Sequence, residues 1–320
     1  MEQITKLSTF AKDTLKGLSA HPKFLLPKYF YDDKGSKIFR DIMQMPEYYL
    51  TDCEFEILKN HQTEMMHLFG QDSPLFDLVE LGSGDGLKTK ILLKHFVKNK
   101  IRFNYVAIDI SREANEILAS KLRAELPELK TEFKTGDYFE MMNALNRDSD
   151  NSKVFLFLGS NIGNFMKDDR HRFLSQLSKI IRRNDKLLIG FDLKKSKEVI
   201  CKAYDDPHGH TRRFNLNHLV RINKELDANF DIESFRHVAH YNEDSGETKS
   251  FLVSGKKQSV YIGALDYRVH FLKDEPIYME LSQKFDQEGI HQLAEHYGFI
   301  IEKNFTDRRN YFVDSLWTKK

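Results

Sequence analysis

The sequence predicts an α/β protein in which a parallel sheet is covered by helices on both faces and the same chain carries a second domain. Three observations lead there. Residues 75–195 alternate apolar runs with stretches of helical spacing, the first run feeds a glycine-rich turn that opens a helix, and residues 200–285 switch to a helix followed by strand-like stretches.

Residues 1–70 mix helical pattern with aromatic turns at 27–35 and 46–50. Thr51-Asp-Cys-Glu54 reads as a capping box, which predicts a helix over 52–68. The apolar runs 75–81, 103–110, 130–136, 154–159 and 186–193 predict strands, and 88–98, 112–126 and 167–182 predict the helices between them. Further on, Phe214, Leu216, Leu219, Ile222 and Leu226 mark a helix, followed by strand-like stretches near 234–242, 249–254, 258–263 and 265–272. A helix over 286–297 and a strand over 311–317 close the chain.

Composition narrows the function. Lys and Arg number 49 against 48 Asp and Glu, so no global positive field recommends nucleic acid or an anionic membrane, and a small-molecule substrate is expected. Cys53 and Cys201 are far apart and lack Cys or His neighbours at ligand spacing, which argues against a disulfide framework and a zinc site. His208-Gly-His210 lacks a third ligand, so no metal is expected there either. The N-terminus has no secretion-signal layout and no run approaches ~18 apolar residues, so the chain is expected to be soluble and cytoplasmic.

The chemistry concentrates at four strand ends. Asp77-Leu-Val-Glu-Leu-Gly-Ser-Gly-Asp-Gly-Leu-Lys88 runs an apolar strand into Gly82, Gly84 and Gly86, a turn that lets backbone approach a ligand. The spacing is G-x-G-x-G with Glu80 two residues ahead, the pattern of S-adenosylmethionine sites; a dinucleotide fold would carry G-x-G-x-x-G. Asp109 ends the second strand, where a carboxylate can accept from both ribose hydroxyls; its plainer reading is a helix cap. Gly136-Asp137-Tyr138 ends the third, where Asp137 can accept from an adenine amine; alone it is an ordinary turn. The fourth ends in Leu158-Gly-Ser-Asn-Ile-Gly-Asn164, beside the reactive end of a cofactor, where Asn164 is either a substrate-holding amide or a cap for the next helix.

With these segments in view, the chain resembles the histidine-specific N-alpha-methyltransferase family over about residues 27–317. The resemblance rests on Phe30-Tyr-Asp-Asp-Lys-Gly-Ser36, Pro46-Glu-Tyr-Tyr49 with Thr51 and Glu54, Val79-Glu-Leu-Gly-Ser-Gly84, Leu158-Gly-Ser-Asn-Ile-Gly-Asn164, Ala203-Tyr-Asp-Asp206 with Phe214-Asn215, and Glu280-Leu-Ser-Gln-Lys-Phe285. Asp85-Gly86 departs from it, standing where relatives often carry small hydroxyl residues.

The resemblance implies a class I methyltransferase (Rossmann-like) core at 65–195, a substrate-binding domain at 196–285 joined by the helical and aromatic segment 1–64, and a C-terminal helix and strand at 286–320 that complete the core. The site would lie in the cleft between core and substrate domain. It implies S-adenosylmethionine held by Gly82, Lys88, Asp109, Asp137 and Tyr138, and L-histidine held by Tyr48, Asn164, Tyr204, Glu280 and Ser282. Asn164 and Tyr31 are the candidates for the catalytic role. Glu280 and Ser282 would address the two imidazole nitrogens, although their alternation with Met279 and Leu281 also fits the solvent face of a half-buried strand. The implied reaction is trimethylation of the α-amine to hercynine, the first step of ergothioneine biosynthesis, with S-adenosylhomocysteine as by-product and no metal, in a monomeric protein. A same-fold methyltransferase for another amino acid or amine, and a non-catalytic cofactor-binding protein, stand beside this reading.

Overall fold

The computed structural model describes residues 7–71, 73–84 and 86–320. Asp85 of the glycine loop and the segment 1–6, on which the missing secretion signal was read, lie outside them. In chain order the elements begin with α1 (Thr9–Ser19), β1 (Lys23–Phe24), α2 (Asp33–Gln44) and α3 (Tyr49–Gly70). Then come β2 (Phe76–Leu81), α4 (Thr89–Lys98), β3 (Phe103–Asp109), α5 (Arg112–Glu125), β4 (Thr131–Thr135) and α6 (Tyr138–Asp148). The alternation continues through β5 (Ser152–Phe157), α7 (Lys167–Ile180), β6 (Lys186–Asp192), α8 (Lys197–Tyr204) and α9 (His210–Leu226). The remainder is β7 (Phe235–Tyr241), β8 (Glu247–Ser254), β9 (Gln258–Ile262), β10 (Tyr267–Phe271), β11 (Pro276–Gln283), α10 (Gln287–His296), β12 (Phe299–Thr306) and β13 (Phe312–Lys319).

These fall into two compact units. One holds Met1–Tyr49 and Lys195–Ser282, the other Leu50–Lys194 and Gln283–Lys320.

The second unit is built on a seven-stranded sheet of order β12-β13-β6-β5-β2-β3-β4. The contacts from β6 through β4 are all parallel, and β13 runs antiparallel to both β6 and β12. Every residue of β2 and β6 is buried, as expected when helices cover both faces of a parallel sheet and the strands read as continuous apolar runs. The core packs Val79, Phe155, Phe157, Phe191 and Trp317 together. Because the parallel order turns outward in both directions from β2 and β5, their C-terminal ends form the switch point where open α/β sheets bind ligands.

The first unit packs α1, α2 and α9 with a four-stranded sheet of order β1-β11-β8-β7 and a separate β10-β9 pair. β8 pairs with β7 and β11, and β9 pairs with β10. Along β11, Ile277 and Met279 are core while the alternate positions Tyr278 and Glu280 are half-buried and Ser282 is buried.

The helix expected over 52–68 begins at Tyr49, which overturns the capping-box reading. Thr51 and Glu54 lie inside the helix, and the Glu54 carboxylate accepts from Lys88 and from the Gly159 N–H instead of reaching back to a helix start. A buried carboxylate in an apolar sheet environment needs a cation and donors, and this demand outweighs a local cap.

Candidate active site

The glycine loop follows β2 with Gly82, Gly84 and Gly86 at φ of 75°, 52° and 65°. These are left-handed values that side chains rarely adopt. At Gly82 a β-carbon would stand 2.8 Å from the Tyr138 hydroxyl, so the loop and the start of α6 approach each other through the missing side chain. Among the described residues a β-carbon at Gly84 would meet nothing within 4 Å, and the buried Ser83 hydroxyl reaches no hydrogen-bond partner. Positive-φ backbone and an orphaned donor are what a polar ligand would complete, so these residues fit an S-adenosylmethionine site.

Asp109 stands at the end of β3 and is not the cap of α5; Ser111 takes that role through Ala114 N–H. Its carboxylate accepts the Gly84 N–H at 3.2 Å and the Ser111 N–H at 2.9 Å, which ties the glycine loop to the next strand end. Asp137 is exposed and caps α6 through one oxygen, Oδ1, accepting from Phe139 and Glu140. Burial, with Asp109 and Asp137 nearby, pushes the Tyr138 phenol up to about 12, so it remains a donor at neutral pH. Beneath the loop, Glu80 is buried and accepts from Thr89 and Tyr105; burial raises its carboxyl to about 7.

The turn after β5 is held from several sides. Gly159 and Ser160 both have positive φ, 79° and 55°. The Gly159 N–H donates to Glu54 at 2.7 Å, and Ser160 Oγ accepts the Asp192 N–H at 2.9 Å. Next to it, Lys284 and Asp192 form an ion pair at 2.7 Å with both side chains wholly buried. A 3-10 turn over Asn161–Asn164 then delivers Asn164, half-buried. Asn164 does not cap α7, whose cap position is Met166 with no side-chain bond.

In the other unit, Tyr31, Tyr48, Tyr204, Glu280 and Ser282 gather. The Tyr204 hydroxyl and Ser282 Oγ are 2.8 Å apart, and the Tyr48 and Tyr204 rings meet edge-on at 6.4 Å. Tyr31 packs edge-on against Phe39 and Phe214 at 5.4 and 5.6 Å and leaves 47% of its surface open. Burial, then Glu280, Tyr48 and Tyr204, raise its phenol well above its ordinary value. Burial and Glu280 also raise Tyr278. With Ser282 buried and bonded to Tyr204, this side of β11 is a polar wall and not the solvent face that alternation alone allows.

Asp314, wholly buried in β13, carries no motif-level signal; a lone charge inside an apolar run is the one hint the sequence offers. No group of three or more His, Cys, Asp or Glu side chains that could hold a metal ion occurs among the described residues. No helix among them is long and apolar enough to cross a membrane.

The chain is 37% identical over 308 residues to the histidine N-alpha-methyltransferase of Mycobacterium tuberculosis, covering 96% of this chain and 94% of that one. It is 29% identical to ergothioneine biosynthesis protein 1 of Schizosaccharomyces pombe, over 88% of this chain and 38% of that longer protein. It is 26% identical to the L-tryptophan methyltransferase trpM of Psilocybe serbica, over 92% of this chain and 88% of that one. Residues 10–319 match the family described as histidine-specific, S-adenosylmethionine-dependent methyltransferases, and the chain belongs to it.

Proposed function

We propose that this protein transfers methyl groups from S-adenosylmethionine to the α-amine of L-histidine, three times, giving hercynine and S-adenosylhomocysteine, the first step of ergothioneine biosynthesis. The observation that carries the choice of substrate is the polar wall of β11, where Glu280 and Ser282 share one face and Ser282 is tied to Tyr204. A carboxylate and a hydroxyl two residues apart on one strand face suit the two nitrogens of an imidazole, one a donor and the other an acceptor.

The cofactor supplies, when bound, an activated methyl group and a thioether leaving group. The chain has to bind it, orient an amine and keep water out, a task of proximity. Gly82, Lys88, Asp109, Asp137 and Tyr138 are assigned to the cofactor. Asp109 has the ribose hydroxyls, and the second oxygen of Asp137 has the adenine amine. Tyr48, Asn164 and Tyr204 are assigned to the amino acid's polar backbone groups. Tyr31, whose raised pKa keeps it a phenol at neutral pH, orients the amine as a hydrogen-bonding partner and does not serve as a base. The ammonium proton leaves to water.

Mass spectrometry of the products from S-adenosylmethionine with histidine, tryptophan or phenylalanine tests the assignment; tryptophan is included because a relative's name specifies it. Histidine should be converted to its trimethyl form in preference to the other two. Replacing Glu280 and Ser282 together by Ala should remove most of that preference, each unpaired ring nitrogen costing about 1–3 kcal/mol. Equal methylation of histidine by the double variant and the wild type would refute the histidine assignment.

A further inference from the structure

Glu54 is wholly buried although it is charged and lies on a helix. One oxygen accepts the Gly159 N–H at 2.7 Å, the other the Lys88 ammonium. One carboxylate therefore joins the residue before α4, on the cofactor loop, to the strained turn after β5. The fold makes room for it. Gly190 in β6 has no side chain, and a β-carbon there would stand 2.6 Å from Glu54 Oε1. Directly across from Gly190 in the sheet register is Asp314 of β13, so its side chain leaves the sheet on the same face.

Asp314 is also wholly buried, and neither of its oxygens finds a donor among the described residues. Its polar neighbour is Glu54, an acceptor, and two carboxyls can bond each other only when one carries a proton. Burial, with Glu54 next, raises Asp314 well above the usual carboxylate range, so Asp314 carries that proton and faces the carboxyl group that pairs with Lys88.

We propose that Glu54, backed by Asp314, is a positioning residue of the methyl-donor site, fixing Lys88 and the Gly159 amide in one arrangement before the cofactor arrives. An ammonium has three donors, and Glu54 takes one, leaving Lys88 aimed and still able to bond a ligand. The inference rests on the assignment of Lys88 to the cofactor, and its test requires no amino-acid substrate.

Titration calorimetry of S-adenosylhomocysteine into the full chain, with thermal melts of each cofactor-free variant to confirm folding, separates the possibilities. Lys88→Met and Glu54→Gln should each weaken binding by about tenfold, and the double variant should bind no more weakly than the worse single, because both changes remove the same placed ammonium. Losses that multiply in the double variant overturn the positioning role and leave Lys88 at the cofactor. Unchanged binding by Lys88→Met overturns the assignment of Lys88 and this inference with it. If Glu54→Gln does not fold, position 314 decides: Asp314→Asn, which keeps a donor toward Glu54, should bind the ligand several-fold more tightly than Asp314→Ala, which has none. Equal affinities there overturn the proposal.

Discussion

Asp109 shows how one carboxylate serves two ends. Its oxygens already accept from Gly84 and Ser111, so the chain spends part of the group on fixing the loop that the cofactor must meet. Hydrogen bonds to a charged group contribute about 1.5–3 kcal/mol, and Asp109→Ala removes both the anchor and the proposed ribose contact. Affinity for S-adenosylhomocysteine should therefore fall by about tenfold or more, read by titration calorimetry on the folded variant. Normal affinity in that variant would take Asp109 out of the cofactor site. The sequence raised the competing reading that Asp109 caps a helix, and Ser111 does that work instead. Strand-end position was legible from the apolar run before Asp109; which of two neighbouring polar residues caps the helix depends on backbone angles that no pattern records.

At the scale of elements, the turn from Leu158 to Asn164 is where packing turns into chemistry. Gly163 lies so close to the Gln283 backbone that a β-carbon would stand 2.8 Å from the Gln283 carbonyl oxygen, so Gly163→Ala has to displace main chain. The displacement falls on the residue before Asn164. Turnover of histidine in the Gly163→Ala variant should drop by tenfold or more, a loss of alignment of the kind that a shift of about 1 Å produces, while S-adenosylhomocysteine affinity changes little. A variant that lost cofactor affinity and kept its turnover number would contradict this division of labour. Strands β2 and β6 were legible because each is an apolar run bounded by turns, and their burial on both faces is why; β4, at the sheet edge with no buried residue, is not such a run. The start of α3 was not. Thr51 and Glu54 satisfy the capping-box spacing, but Glu54 is recruited by Lys88 and Gly159, partners 34 and 105 residues away that local spacing cannot see.

Across the whole molecule, buried ionisable groups set opposite responses to pH in the two units. In the first unit His218 is fully buried among Phe10, Tyr29 and Phe30, with ring centroids 6.2, 6.1 and 5.5 Å away, and neither ring nitrogen has a partner among the described residues. Burial, then the Arg221 charge, lowers it to about 3. His237 is lowered in the same direction, by burial first. An unfolded chain protonates His218 below about 6.5 and the folded one does not, so the stability it leaves intact above that pH is lost as pH falls toward 3, and His237 acts in the same sense. In the second unit Glu80 is raised to about 7 from 4.5, so the folded state holds the extra proton and stability is lost as pH rises through 7. The sequence placed Glu80 ahead of the glycine loop but gave no sign of His218, because a histidine at helical spacing among aromatics reads the same whether it is solvated or buried. Melting curves at pH 5, 6.5 and 8 distinguish the two contributions. His218→Phe should be stabilised relative to wild type by an amount that grows toward acid, about 2 kcal/mol more at pH 5 than at neutral pH, since 1.36 kcal/mol accompanies each unit of protonation mismatch. Glu80→Gln should gain on wild type in the other direction, toward pH 8, where the wild type has to ionise a buried carboxyl and the amide does not. Differences from wild type that stay constant across the three pH values would mean that neither group changes its proton occupancy on folding.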